Sequence, residues 1–548
     1  MAEQHFFPYH EPSLTQVLVL TSFFVFLNAA RAVGDRLANV GILGELLVGL
    51  VYGAPLADIL QQEWESTFTA VGYLGLIILV LEGGLTTNLS LARKNLGLSF
   101  AVAITGLLAP ILLSLVILHL AFGFSLLQAF SAGAALSTTS LGTTFTVISQ
   151  AGFGDTRLGA VLTSAAITDD VVGLVLLQVI VSLGQATASP GASSDTSAAI
   201  GWAIGRPLLA SIAMLVFSYG LMRLVVVPAY RWLTSKLQSK VSSHWHSYNL
   251  VVAILVSHAY CAVASASGTS ILLGAFVAGL VLSVLSTVSR QVAPEAKTFE
   301  ETYAHCIEQL QLYILRPLFF ASIGYAIPIR SLFAGRIVWQ GICYTLVGIF
   351  SKLICGIFVI LSHTFTKWRR SKARMPQLFK RPKASAAARK SQGQAAATFP
   401  PTTGLKPSTP SLLPVSALLG SAMVARGEIS LLILNLAREA SPDLMPDDLF
   451  YIAIWATLLC TIAGPLTVGV IVKRMKRTGK SLPAEWGPVP KNTPSSTTQN
   501  SRSSTISANS EVPQQTSLED TTSSIKQTDN IKSPPIAHRV VSTFRPRF

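Results

Sequence analysis

Two adjacent acids, Asp169 and Asp170, stand near the middle of "LTSAAITDDVVGLVLLQVIVSL" and are the only charged residues between Leu158 and Leu183. A central Asp in a bilayer costs roughly +3 kcal/mol on insertion scales, so two of them need a chemical reason. Neighbouring residues of a helix point about 100° apart, so the two carboxylates face different partners. A base that could answer one of them stands in "YTLVGIFSKLICGIFVIL". There Lys352 is followed by about ten apolar residues, which puts it roughly 15 Å inside the span. Snorkelling from a helix end is the alternative for such a lysine. A buried Asp–Lys pair accounts for both charges at once and leaves the second carboxylate to line an aqueous cavity.

Two further spans mix polar side chains with glycine. "GAALSTTSLGTTFTVISQAG" gathers Ser137, Thr138, Thr139, Ser140, Thr143 and Thr144 around Gly142, and "GSAMVARGEISLLILNL" sets Arg426, Gly427 and Glu428 in an apolar run. A single Ser/Thr run in a membrane helix is ordinarily back-bonded packing. One glycine-interrupted polar stretch in each half of the chain points instead to inverted repeats whose unwound helices expose half-helix ends at the midplane. Those ends carry about half a unit charge each, which Arg426 and Glu428 can offset.

The elements that must hold these residues are membrane helices. The chain has 548 residues, 50% of them hydrophobic and 12% charged, and its mean hydropathy is +0.53, which excludes a soluble globular protein. About thirteen apolar windows are long enough to cross a bilayer core of roughly 30 Å, and lipid forces each to satisfy its own backbone as a helix. The expected fold is an all-α polytopic membrane protein. The net charge of +15 does not signal nucleic acid, because the bases fall in alternate loops such as "SLARKN", "YRWLTSKLQSK" and "KRMKRTGK" while the intervening loops are neutral or acidic. By the positive-inside rule residues 1–12 are extracytosolic and the C-terminus is cytosolic. Residues 366–411 form a basic insertion and 476–548 a Ser/Thr-rich tail, neither with the apolar content to bury a core. Five cysteines, Cys261, Cys306, Cys343, Cys355 and Cys460, have no metal or disulfide spacing and read as packing residues.

In order along the chain, "GILGELLVGLVYG", "LGLIILVLEGGLTTNLSLARKN", "ALSTTSLGTTFTVISQAG", "AAITDDVVGL", "ASGTSILLGAFVAGLVLS", "RPLFFASIG", "FSKLICGIF" and "VARGEISLLI" resemble the motifs of the monovalent cation:proton antiporter-2 family of sodium/proton exchangers and potassium efflux systems. The resemblance covers about residues 13–475. It implies an inverted-repeat antiporter fold with two discontinuous crossing helices, a core domain beside a dimerisation domain, and a homodimer. It implies a transporter, not an enzyme, that exchanges Na⁺ or K⁺ for protons by alternating access in the plasma membrane or an endomembrane, without a cofactor. Carried over by position, Asp170 would bind the transported alkali cation or a proton, and Asp169 would pair with Lys352. Thr139 and Ser140 would offer oxygens, and Glu428 and Arg426 would compensate charge at the second crossing. A channel-like potassium efflux system on the same scaffold is the alternative.

The sequence departs from the family pattern in places. Thr86, Thr87 and Asn88 stand where many members carry an acid, and Arg316 is an intramembrane charge with no partner evident from sequence. Residues 478–548 hold no dinucleotide fingerprint, so gating by a bound nucleotide is not expected.

Overall fold

The computed structural model describes residues 11–38, 40–87, 96–140, 148–149, 152–154, 156–188, 196–241, 244–292, 297–364, 412–478 and 486–487. Asn88, Gly142, Thr143, Thr144, the 366–411 insertion and nearly all of the tail lie outside these residues.

Among the described residues the chain is helical and forms no sheet. In chain order the helices are α1 (Leu14–Ala38), α2 (Gly41–Tyr52), α3 (Gln62–Leu85), α4 (Leu96–Ser114, extended by a π turn), α5 (Leu126–Ser137) and α6 (Arg157–Ala188). There follow α7 (Thr196–Leu221), α8 (Val227–Val241), α9 (Trp245–Ser267), α10 (Ile271–Val292), α11 (Phe299–Cys306) and α12 (Arg316–Tyr325). The last are α13 (Gly335–Leu353, continued by a 3₁₀ turn), α14 (Leu412–Ala422), α15 (Glu428–Ala440) and α16 (Asp447–Arg477). Nine helical stretches among the described residues are long and apolar enough to cross a membrane, and α2, α5 and α14 are shorter apolar helices. This is a multi-pass integral membrane protein.

Its exterior is apolar. Leu209 and Val216 of α7 and Leu255 of α9 are 66%, 68% and 63% exposed, a distribution suited to lipid rather than to water.

The helices pack in two groups. The first gathers α1, α2, α3 and α8 to α12, with α3 lying along α10 and α12, and α2 between α1 and α12, while α7 packs chiefly along α6 and links the two groups. The second gathers α4, α5, α6 and α13 to α16. Lipid gives helices little hydrophobic reason to associate, so close backbone contact does that work. A Cβ on Gly84 of α3 would stand 2.2 Å from the Phe276 carbonyl oxygen, and one on Gly279 of α10 would stand 2.2 Å from that of Leu81. The two glycines let these backbones touch. The second group carries the residues singled out from sequence.

A crossing of two chain breaks beside a buried ion pair

Helix α5 stops at Ser137 because Thr138 turns extended, with φ −68° and ψ 151°. Thr138 to Ser140 are not helical, and the continuation at 141–147 lies outside the described residues. In the second half, α14 ends at Ala422 and α15 begins at Glu428, with Gly427 extended between them at φ −149° and ψ −150°. The two irregular segments meet. The Ser140 amide donates to the Ala425 carbonyl at 2.8 Å, and Arg426 Nη1 donates to the Thr138 carbonyl at 2.6 Å. The Thr138 and Ser430 hydroxyls lie 2.6 Å apart, and Thr461 Oγ1 donates to the Arg426 carbonyl at 3.1 Å. Gly427 is required here for space, since a Cβ would lie 2.6 Å from both Cβ and Oγ of Ser140.

Each break frees backbone groups that would otherwise pair within a helix. The buried guanidinium of Arg426 serves a freed carbonyl of the first break. Glu428 stands in the first turn of α15, where an acid complements the positive end of the helix dipole.

Helix α6 brings its two acids to this crossing in different ways. Asp169 is 1% exposed and Lys352, in the last turn of α13, is 0% exposed. Lys352 Nζ donates to Asp169 Oδ2 at 2.8 Å and to Thr139 Oγ1 at 2.8 Å, while Thr139 Oγ1 donates to the same Asp169 oxygen at 2.7 Å. The three form a closed, charge-assisted triangle. Asp170 is only half-buried. Among the described residues no hydrogen bond or ion pair holds its carboxylate, and it lies within electrostatic range of Glu428, Asp169 and Lys352.

The seven residues to which the resemblance gave roles, Asp169, Asp170, Thr139, Ser140, Lys352, Arg426 and Glu428, therefore lie in one region, whereas Gly142, Thr143 and Thr144 are outside the described residues. Thr139 is committed to the ion pair, and Arg426 holds backbone. Gly106 was not marked. A Cβ there would lie 3.2 Å from Lys352 Nζ, 3.3 Å from Met423 Cε and 3.4 Å from Cys355 Sγ, so the glycine leaves room for the ammonium. A lone glycine in "AVAITGLLAP" is its only signal. Arg316 lies in the other group, with its guanidinium 5.8 Å over the Phe320 ring and within charge range of Glu45 and Glu82. Glu45 is buried and paired with Arg31 at 3.5 Å.

Two irregular stretches thus meet beside a lysine sealed against one acid and a second acid left open, an arrangement suited to an ion transporter. The model of the transmembrane sodium/hydrogen exchanger family matches residues 19–387, and the chain belongs to that family. The probable Na⁺/H⁺ antiporter GerT of Bacillus cereus is 26% identical over 334 residues, 60% of this chain and 79% of the relative. The Na⁺/H⁺-K⁺ antiporter GerN of the same organism is 24% identical over 463 residues, 82% of this chain and 97% of the relative. The high-affinity Na⁺/H⁺ antiporter NhaS3 of Synechocystis is 27% identical over 330 residues, 53% of this chain and 67% of the relative. Among solved structures, the sodium proton antiporter MjNhaP1 of Methanocaldococcus jannaschii shares the fold, with a TM-score of 0.52 and 15% identity over 84% of this chain and 99% of that one.

Proposed function

We propose that the protein exchanges a monovalent alkali cation, Na⁺ or K⁺, for protons, with Asp170 as the group that carries either one. The observation that carries this reading is the contrast between two adjacent carboxylates on one helix. Asp169 is saturated by Lys352 and Thr139, whereas Asp170 is half-buried and free of partners among the described residues. A hard alkali cation takes oxygen ligands, which Asp170, Ser140 and backbone freed at the breaks supply. One carboxylate holds a proton or a dehydrated cation, not both. If the helices around it cross between the two faces only when it is loaded, the two fluxes are coupled.

In this reading α4 to α6 and α13 to α16 form the moving core, and the other group is the scaffold through which two copies pair. Residues 13–475 make up the transporter domain, residues 1–12 face the extracytosolic side and the tail is cytosolic. That sidedness is supported by acids in the first turn of α16, Asp447 and Asp448, and bases in its last turn, Arg474, Lys476 and Arg477. The relatives named for Na⁺/H⁺ and Na⁺/H⁺-K⁺ exchange support the choice of ions.

The test is Asp170→Asn in proteoliposomes carrying a pH gradient. Addition of Na⁺ or K⁺ dissipates the gradient with the wild type and leaves it standing with the variant, which still elutes as a folded protein. Exchange at the wild-type rate in the variant refutes the assignment.

A further inference from the structure

The segment after the last span returns to the bundle. Trp486 is 0% exposed and is among the largest fully buried side chains of the molecule, although it comes from the polar, proline-containing stretch "SLPAEWGPVP". It docks at the start of α6. The Arg157 guanidinium lies 5.2 Å from the centroid of the indole, and the Arg157 amide donates to the Gly487 carbonyl at 3.1 Å. That amide belongs to the first turn of a helix, where it has no intrahelical acceptor, so the returning segment caps the helix that carries both aspartates.

The ring fills one end of a continuous apolar cluster. Leu158, Val161, Leu162 and Ala165 of α6 belong to it, together with Val102, Met423, Val472 and Cys355. On α6 the residues 158, 161/162, 165 and 169 recur every three to four positions, so one face of the helix runs from the indole to Asp169. The distance along the axis is about 18 Å. At the far end Met423 and Cys355 close on the same point as Lys352 Nζ, each within 3.4 Å of where a Gly106 Cβ would stand. A dry column thus separates the Asp169–Lys352 pair from the face on which α16 ends, and its outermost piece is supplied by the tail.

We propose that Trp486 is a plug, brought in by the segment after the last span, that completes an apolar seal between the Asp169–Lys352 pair and the membrane face on which α16 ends. Its role is positional: the indole touches no ion, but it keeps water and protons from reaching the pair through the interior of the core. The indole N–H has no acceptor among the described residues. It regains hydration when the ring leaves, so the plug is removable. The proposal rests on the transport reading only in making the pair something that must be sealed.

The experiment compares wild type, Trp486→Phe, Trp486→Leu and Trp486→Ala in full-length protein reconstituted into proteoliposomes. Two quantities are read. One is proton flux after a pH step with no alkali cation present. The other is alkylation of Cys355 by an impermeant maleimide supplied on the face where α16 ends, followed by peptide mass spectrometry. Trp486→Ala raises both severalfold and keeps cation-driven exchange, Trp486→Phe stays near wild type, and Trp486→Leu falls between them. The leucine variant decides the matter if the alanine variant does not fold. Unchanged alkylation in a folded Leu or Ala variant overturns the plug, and raised alkylation without a proton leak overturns its sealing role. Both readouts are taken without cation, so neither depends on Asp170 being the carrier.

Discussion

Lys352 and Asp169 illustrate what a buried pair does and does not contribute. Removing both charges from water costs several kcal/mol per ion, and the 2.8 Å contact offsets that cost only while both partners are present. Lys352→Met should therefore destabilise the protein by about 3–5 kcal/mol, because Asp169 is left charged and alone in a dry site. The double variant Asp169→Asn, Lys352→Met removes both charges and should recover most of that loss. Thermal unfolding in detergent checks this: additive losses in the double variant would mean the two residues do not act as a pair. Thr139 tests the third corner of the triangle. Thr139→Val deletes a hydroxyl that both donates to Asp169 and accepts from Lys352, a loss of about 1–3 kcal/mol, while Thr139→Ser keeps the hydroxyl and should lie near wild type in the same assay.

At the scale of elements, stability rests on backbones that touch. The contact of α3 with α10 admits no side chain at Gly84 or Gly279, since the atoms met at 2.2 Å are carbonyl oxygens of the facing helix. Gly279→Ala must push the two helices apart, an overpacking cost of about 1–3 kcal/mol, and should lower the unfolding temperature. Gly83→Ala, one position from Gly84 with nothing within 4 Å of its would-be Cβ, should leave that temperature unchanged or raise it. Equal effects of the two substitutions would argue against the close contact. The same level shows what sequence could reveal. Helix class, the acids of α6, the lysine of α13 and the two polar glycine-bearing stretches were legible, because a charge or a glycine in oil demands an explanation. The bond from Arg426 to the Thr138 carbonyl was not legible, because its acceptor is backbone and leaves no letter in the sequence. Thr139 read as one hydroxyl among several, and only the position of Lys352 commits it. Trp486 was hidden by its polar surroundings, where no periodicity marks a buried ring.

At the scale of the whole molecule, the two helix groups are separated in part by a cavity of about 850 Å³. Ala70 and Tyr73 of α3 and Ser322 of α12 line one wall, and Leu432 and Asn435 of α15 line the other. The α15 wall begins one turn beyond Glu428, so the cavity approaches the crossing from the side opposite to Trp486. Packed interiors switch between discrete arrangements rather than deforming smoothly, and a gap between two such bodies is where one can shift against the other. Filling the gap should therefore slow transport without touching the ion site. Ala70→Trp places a large ring in the cavity from the α3 wall. We expect it to lower the maximal exchange rate by about tenfold, equivalent to about 1.4 kcal/mol on the barrier, with the cation concentration for half-maximal exchange unchanged. Ala70→Ser, which adds almost no volume, should behave as wild type. Initial rates across a cation series in proteoliposomes separate the outcomes. A change confined to apparent cation affinity would place the cavity on the binding path, whereas a fall confined to the maximal rate marks it as space the moving helices need.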